Sequence, residues 1–293
     1  MEERHFGPVW FIPGHNSGKY PYCHSLYIEG PGILIDPSSD RDRLKQLKQN
    51  QGVRSVWLSH WHEDHFMHLD LFDDVPLWMS AADAQPLSSI DNFLDAYGIE
   101  EDFRELSKVF FKEQFRFRPR KPDRFLKNGE VIKFDSLSIE VIHTPGHTPG
   151  HLTFFFKESE VLYMGDYDLS SFGPWYGDVY SDIEEIRKSV TRLQSIPAKI
   201  WLTAHEKGIF EDFPDDIWHN YLDVIDKREQ KLLDFLENPR SIDEIAHAWI
   251  VYGKPREPES FYLFGEKGIM QKHLARLAVG GKIGLKNDKY FKL

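Results

Sequence analysis

Residues 59 to 65, SHWHEDH, crowd three histidines and two acids into seven positions. Such crowding suits either a polar, solvated strand-to-helix turn or half of a metal site completed elsewhere in the chain. His60 and His62 lie two apart, so an extended segment turns both to one side. Asp64 and His65 follow where the chain turns into the next helix, and can face a neighbouring ion. Further on, TPGHTPGH (144–151) uses Pro145, Gly146, Pro149 and Gly150 to form a rigid turn with His147 at its apex. Imidazole and carboxylate donors suit Zn²⁺ or Fe.

The elements that must position these groups share a pattern. VWLSH, IEVIHTPGH, VLYMGD and KIWLTAH are four apolar strands, each running into a His or an Asp at its carboxyl end. In α/β sheets, ligands bind beyond those ends. His60, His62, Asp64, His65, His147, Asp166 and His205 can therefore converge on one rim. Seven donors exceed the needs of one tetrahedral ion, whereas two ions about 3.5–4 Å apart, sharing a carboxylate, would use them all.

His60-x-His62-x-Asp64-His65, then TPGH, then strands ending in Gly165-Asp166 and Ala204-His205, resemble the metallo-β-lactamase superfamily over most of residues 8 to 210. The resemblance implies an α+β chain with an αββα sandwich, two sheets face to face with helices outside. It implies one metal on His60, His62 and His147, another on Asp64, His65 and His205, and Asp166 bridging. The diiron flavoprotein branch usually carries Glu where this chain has His62, which favours the hydrolase branch. The implied cofactors are two divalent ions, zinc first, with iron or manganese as alternatives. The implied chemistry is hydrolysis by a metal-bound hydroxide, with Asp64 and Asp166 as catalytic residues. One departure stands out. The family usually continues Asp-His-x-Gly-Gly, and here Phe66-Met67-His68 replaces the small residues with bulky ones. His68 is expected on a helix surface.

Other positions carry weaker signals. His151 is expected to support the ligands by hydrogen bonding, and Glu63 to point away from them. Residues 166–178, DYDLSSFGPWYGD, offer Phe172, Trp175 and Tyr176 as walls of a substrate pocket, with Asp168 as a turn residue. The segment FRFRPRKPDRF (115–125) is basic within an acidic region and reads as a solvated edge strand, or as a patch for a phosphate-bearing substrate.

The chain has 293 residues and one cysteine, Cys23, so no intrachain disulfide can form. With a charged start and no long apolar run, it is expected to be cytoplasmic and not membrane-bound. Its net charge of −11 gives no general attraction to nucleic acid. From residue 225 onward, however, 13 Lys+Arg outnumber 10 Asp+Glu. There the periodicity predicts a long amphipathic helix from 217 and a helix opened by a Ser241–Glu244 capping box. A third helix closed by Gly280-Gly281 and a hairpin with an Asn-Asp turn complete the tail. These segments resemble the winged-helix tail of a lactamase-β-like subfamily. The expected domains are 1–212, catalytic, and 213–293, winged helix, with a hinge at 213–216.

The expected function is thus a binuclear metal-dependent hydrolase acting on a small-molecule thioester or ester. A metal-dependent endoribonuclease or phosphodiesterase, a mononuclear iron persulfide dioxygenase, and a ligand-sensing nucleic-acid-binding protein remain alternatives. RNA, through the basic segment or tail, and a second copy in a homodimer are candidate partners.

Overall fold

The computed structural model describes residues 1–213 and 216–293. Pro214 and Asp215, the centre of the expected hinge, lie outside the described residues. The first sheet runs in chain order through β1 (Arg4–Phe6), β2 (Val9–Ile12), β3 (Ser25–Ile28), β4 (Ile33–Ile35), β5 (Ser55–Trp57), β6 (Leu77–Met79) and β7 (Arg124–Phe125). Strands β1 to β4 pair antiparallel, and β4 to β7 pair parallel. The second sheet has the order β13-β12-β11-β10-β9-β8. Its members are β8 (Val131–Phe134), β9 (Leu137–His143), β10 (Leu152–Phe156), β11 (Val161–Tyr163), β12 (Ile200–Leu202) and β13 (Ile209–Phe210), of which β11 and β12 run parallel.

Why these strands stack follows from their burial. LTFFF of β10 is buried at every position, so both faces of that strand are covered. Between the sheets lie Phe11, Leu26, Ile35 and Trp57 from one side, with Ile139, Phe154, Tyr163 and Leu202 from the other. The outer face of the first sheet is covered by α1 (Arg41–Gln46), α3 (Ile90–Tyr97) and α4 (Glu101–Gln114), through Leu44, Phe93, Leu94 and Phe111. The outer face of the second is covered by α5 (Ile183–Gln194), through Ile186, Val190 and Leu193. The αββα layering inferred from the sequence is the architecture found. The short α2 (Glu63–Phe66) carries the histidine and aspartate run out of β5.

The tail consists of α6 (Ile217–Phe235), α7 (Ile242–Ala246), α8 (Glu259–Val279) and the hairpin β14 (Ile283–Lys286) and β15 (Lys289–Lys292). The Ser241–Glu244 capping box is formed. Asn287 and Asp288 both take positive φ, the conformation a two-residue hairpin turn requires. Tyr221, Ile225, Leu232, Ile269, Met270 and Leu274 share one apolar cluster with Leu162, Ile186 and Val190. The tail thus extends the core over the second sheet.

Three local readings are corrected. The run 81–98, AADAQPLSSIDNFLDAYG, reads as helical from sequence, but 81–89 forms only short 3₁₀ turns, and the helix begins at Ile90, where Ser89 accepts from Asn92 N at 3.1 Å. Of 115–125, only Arg124 and Phe125 pair as strand. Phe115 and Phe117 are buried, and Arg118 meets Asp73 at 3.1 Å. Arg120 bonds the carbonyls of Phe72 and Val75, and Arg124 pairs with Glu130. These contacts occupy much of the basic segment. His68 is not on a surface. It is 5% exposed, its N–H bonds Pro37 O at 2.9 Å, and its Nδ1 lies 3.4 Å from Arg41, which holds Asp70. Phe66 and Met67 fill the core beneath, and Met67 and His68 stand where the pattern usually has glycines.

Candidate metal centre

The four apolar strands deliver their polar ends to one place. His60, His62, His147 and Asp166 bring one donor atom each to within 4.8 Å of one another, and Asp64, His65 and His205 do the same beside them. In the first group, His60 Nε2 lies 2.9 Å from His62 Nδ1 and 3.2 Å from His147 Nε2, and the last two are 3.0 Å apart. Nitrogens around a tetrahedral ion at about 2.0–2.1 Å would sit about 3.3 Å from each other. In the second group, Asp64 Oδ2 is 3.4 Å from His205 Nε2, and Asp64 Oδ1 is 3.9 Å from His65 Nε2. Asp166 faces both groups. Its Oδ2 is 3.1 Å from His147 Nε2, while its Oδ1 is 2.9 Å from His65 Nε2 and 3.4 Å from His205 Nε2.

Each imidazole is held from behind, and that fixes which nitrogen looks inward. His147 Nδ1 donates to Trp175 O at 3.1 Å, and His205 Nδ1 to Gly18 O at 2.6 Å. His62 Nε2 reaches Asp178 at 2.7 Å, and His65 Nδ1 reaches Asp36 at 3.0 Å. His60 Nδ1 is 3.0 Å from Ser59 Oγ, whose own proton goes to Asp36. With the outer nitrogens donating, the inner ones present lone pairs to each other and to carboxylate oxygens. His65 Nε2 and Asp166 Oδ1 are buried with no hydrogen-bond partner. Buried acceptors facing acceptors are unfavourable unless a cation lies between them. Without an ion, protons take that place: although burial opposes their charged forms, the surrounding carboxylates raise His65 and bring His62 and His205 up to about 9, so the site draws positive charge. The donor set and its orphaned atoms fit a pair of metal ions.

Several supporting groups were missed in the sequence. Asp36 is fully buried and also accepts from Ser59 N at 2.8 Å and Tyr163 OH at 2.7 Å. Its signal was present, because GILID is another apolar strand ending in an acid. Asp178 closes the aromatic loop 166–178, and Trp175 Nε1 donates to it at 3.2 Å. Asp83 holds the TPGHTPG turn by accepting from Thr148 Oγ1 and Gly150 N, both at 2.6 Å. Nothing in its sequence surroundings marked it.

The remaining residues fall as follows. Glu63 is turned to Tyr20 OH at 2.8 Å and to Tyr97 OH, and the Tyr97 ring stacks on His62. His151 Nε2 accepts from Asp166 N at 3.3 Å while its Nδ1 pairs with Thr144 Oγ1 at 2.8 Å. Asp168 accepts from Ser170 N at 2.9 Å, as a turn residue does. Tyr176 is wholly buried, bonded to Arg228 and His273, so the expected pocket wall is a packing residue facing the tail. Phe172 meets the Tyr252 ring at a tilt and lies under Arg228. Trp175 contributes its carbonyl and its indole N–H to the ligand supports.

Gly165 shows how tightly Asp166 is placed. Its φ is +55°, and a Cβ there would lie 2.5 Å from His151 Nε2. Gly165→Ala is expected to lose about 2–4 kcal/mol of stability through left-handed strain and displacement of His151. Urea denaturation measures this, and a change under about 0.5 kcal/mol would contradict it.

A family model described as "Metallo-beta-lactamase superfamily" matches residues 21–232, and the chain belongs to that superfamily. An atrochrysone carboxyl ACP thioesterase of Aspergillus fumigatus is 23% identical over 73% of this chain and 60% of its own. A hydroxyacylglutathione hydrolase, GloC, of Haemophilus influenzae is 30% identical over 47% of this chain and 61% of its own. The chain thus spans about three fifths of the length of these relatives. Among solved structures, a metallo-beta-lactamase family protein from Thermus thermophilus superposes with TM-score 0.70 at 20% identity, covering 97% of this chain and 98% of that one. A beta-lactamase domain protein from Burkholderia ambifaria gives 0.69 at 17% identity, over 100% and 94%. No helix among the described residues is long and apolar enough to cross a membrane.

Proposed function

We propose that the chain is a binuclear metal-dependent hydrolase of thioesters or esters. The observation that carries this reading is Asp166, whose two carboxylate oxygens face two separate ligand groups. Divalent ions held there would polarise a carbonyl oxygen and supply water of lowered pKa. Asp64 and Asp166 would orient that water and accept its proton. His60, His62 and His147 would hold the ion that polarises the carbonyl oxygen; Asp64, His65 and His205 would hold the ion that activates the water. Hydrolysis consumes one water, forms a carbon–oxygen bond, breaks the carbon–sulfur bond and returns a proton to the leaving thiolate. No Ser or Cys nucleophile is needed, and Cys23 is buried, with burial pushing its thiol well up.

The thioester class is favoured by the relatives named a thioesterase and a hydroxyacylglutathione hydrolase. RNA is disfavoured because several of the basic groups are already paired. Besides the contacts of the 115–125 segment, Lys272 donates to Val179 O at 2.6 Å, and Arg276 binds Glu184 and Glu229. We read residues 213–293 as a winged-helix unit with a structural role. The test is an assay of acyl-glutathione and acyl-carrier thioesters beside RNA, from 50 to 500 mM salt. Thioester cleavage is expected to change less than about threefold, because few counterions are released. A steep fall, with cleavage of RNA, would overturn the reading.

A further inference from the structure

The tail's contacts converge on one loop, and that loop supports the first ligand group. Arg228 of α6 is 3% exposed, and among the described residues no carboxylate forms an ion pair with it. An unpaired guanidinium is costly to bury. Its partners are main-chain and phenolic oxygens: Phe172 O at 2.8 Å, Pro174 O at 3.2 Å and Tyr176 OH at 3.1 Å. It also lies over the Phe172 ring at 4.6 Å. The rigid fork of five donors suits this task, because it ties several acceptors into one geometry.

The residues next to these acceptors hold the ligands. Trp175 O orients His147, and Asp178, itself bonded by Trp175 Nε1, orients His62. Helix α8 closes on the same loop. A Cβ at Gly268 would lie 2.4 Å from Gly177 O, so the helix touches bare backbone there. His273 accepts from Tyr176 OH at 3.0 Å.

We propose that Arg228 is a positioning residue for the metal centre, by which the tail sets the aim of His62 and His147. Neither imidazole touches Arg228; the guanidinium acts through the loop carbonyls. This rests on the reading of His60, His62 and His147 as metal ligands. It also gives the tail a role in the site that does not involve nucleic acid.

The test uses the full chain as wild type, Arg228→Met, Asp178→Asn and the double variant. Stepwise Zn²⁺ affinities are measured by competition with a chromophoric chelator, and melting is recorded without metal. Arg228→Met is expected to weaken one of two ions about 10- to 100-fold and leave the other near its wild-type affinity. The double variant should lose less than the product of the single losses, because both changes act on His62. Lower metal-free melting with both affinities unchanged would mean that Arg228 only packs, and would overturn the proposal. So would losses that multiply. If Arg228→Met does not fold, Arg228→Lys carries the test: it keeps the charge but not the fork, and full retention of affinity would overturn the proposal. Absence of binding by the wild type would instead defeat the metal reading itself, which the wild-type titration shows separately.

Discussion

Asp166→Ala is expected to lower turnover about 10³-fold or more, equivalent to some 4 kcal/mol of barrier. The carboxylate links the two donor groups, and no other described side chain lies between them in the same way. The same substitution should leave the metal-free protein folded. Asp166 is the carboxylate that does most to raise His65 and His205, and without it both can take their neutral forms. Melting of the metal-free variant should therefore stay close to that of wild type, while steady-state rates fall. Wild-type rates from a metal-depleted Asp166→Ala sample would contradict the mechanism.

Asp36→Ala should do the opposite, damaging the fold first and the site second. Asp36 follows β4 and joins three strand ends. It accepts from Ser59 N and Oγ after β5, from Tyr163 OH at the end of β11, and from His65 in α2. Removing it strands four donors in a fully buried place. At about 1–3 kcal/mol for each unsatisfied group, partly recovered by water, the expected loss is on the order of 4–6 kcal/mol. That rivals the total stability of many domains, so poor soluble yield is part of the expectation. Urea denaturation at neutral pH gives the number. A loss under about 1 kcal/mol would mean that the hub is not required.

The two donor clusters were legible because metal chemistry restricts residue type, and most donors stand where an apolar strand stops. The αββα layers were implied by the resemblance that the histidine motifs carry, and LTFFF, covered on both faces, fits them. Asp36 obeyed the same strand-end rule, but its role as a hub shows only in its donors, Ser59, His65 and Tyr163, which lie far away in sequence. Asp178 and Asp83 act across 116 and 65 positions of sequence, and no local periodicity reports contacts at that range. Tyr176 looked like a pocket wall because it sits in a loop beside Asp166. The loop turns it toward α6 and α8 instead, where Arg228 and His273 bind its hydroxyl. His68 looked like a surface histidine on a regular helix. In fact α2 is only four residues long, and the chain dives into the core after Phe66.

Metal content per chain is the most direct measure of the central claim, taken by elemental analysis of protein purified without chelator or added metal. Asp166→Ala and His62→Ala should be analysed beside the wild type. The two clusters predict close to two ions per wild-type chain and fewer in both variants. Wild-type content near zero even after reconstitution would contradict the account, and close to one iron per chain would redirect it toward oxygen chemistry.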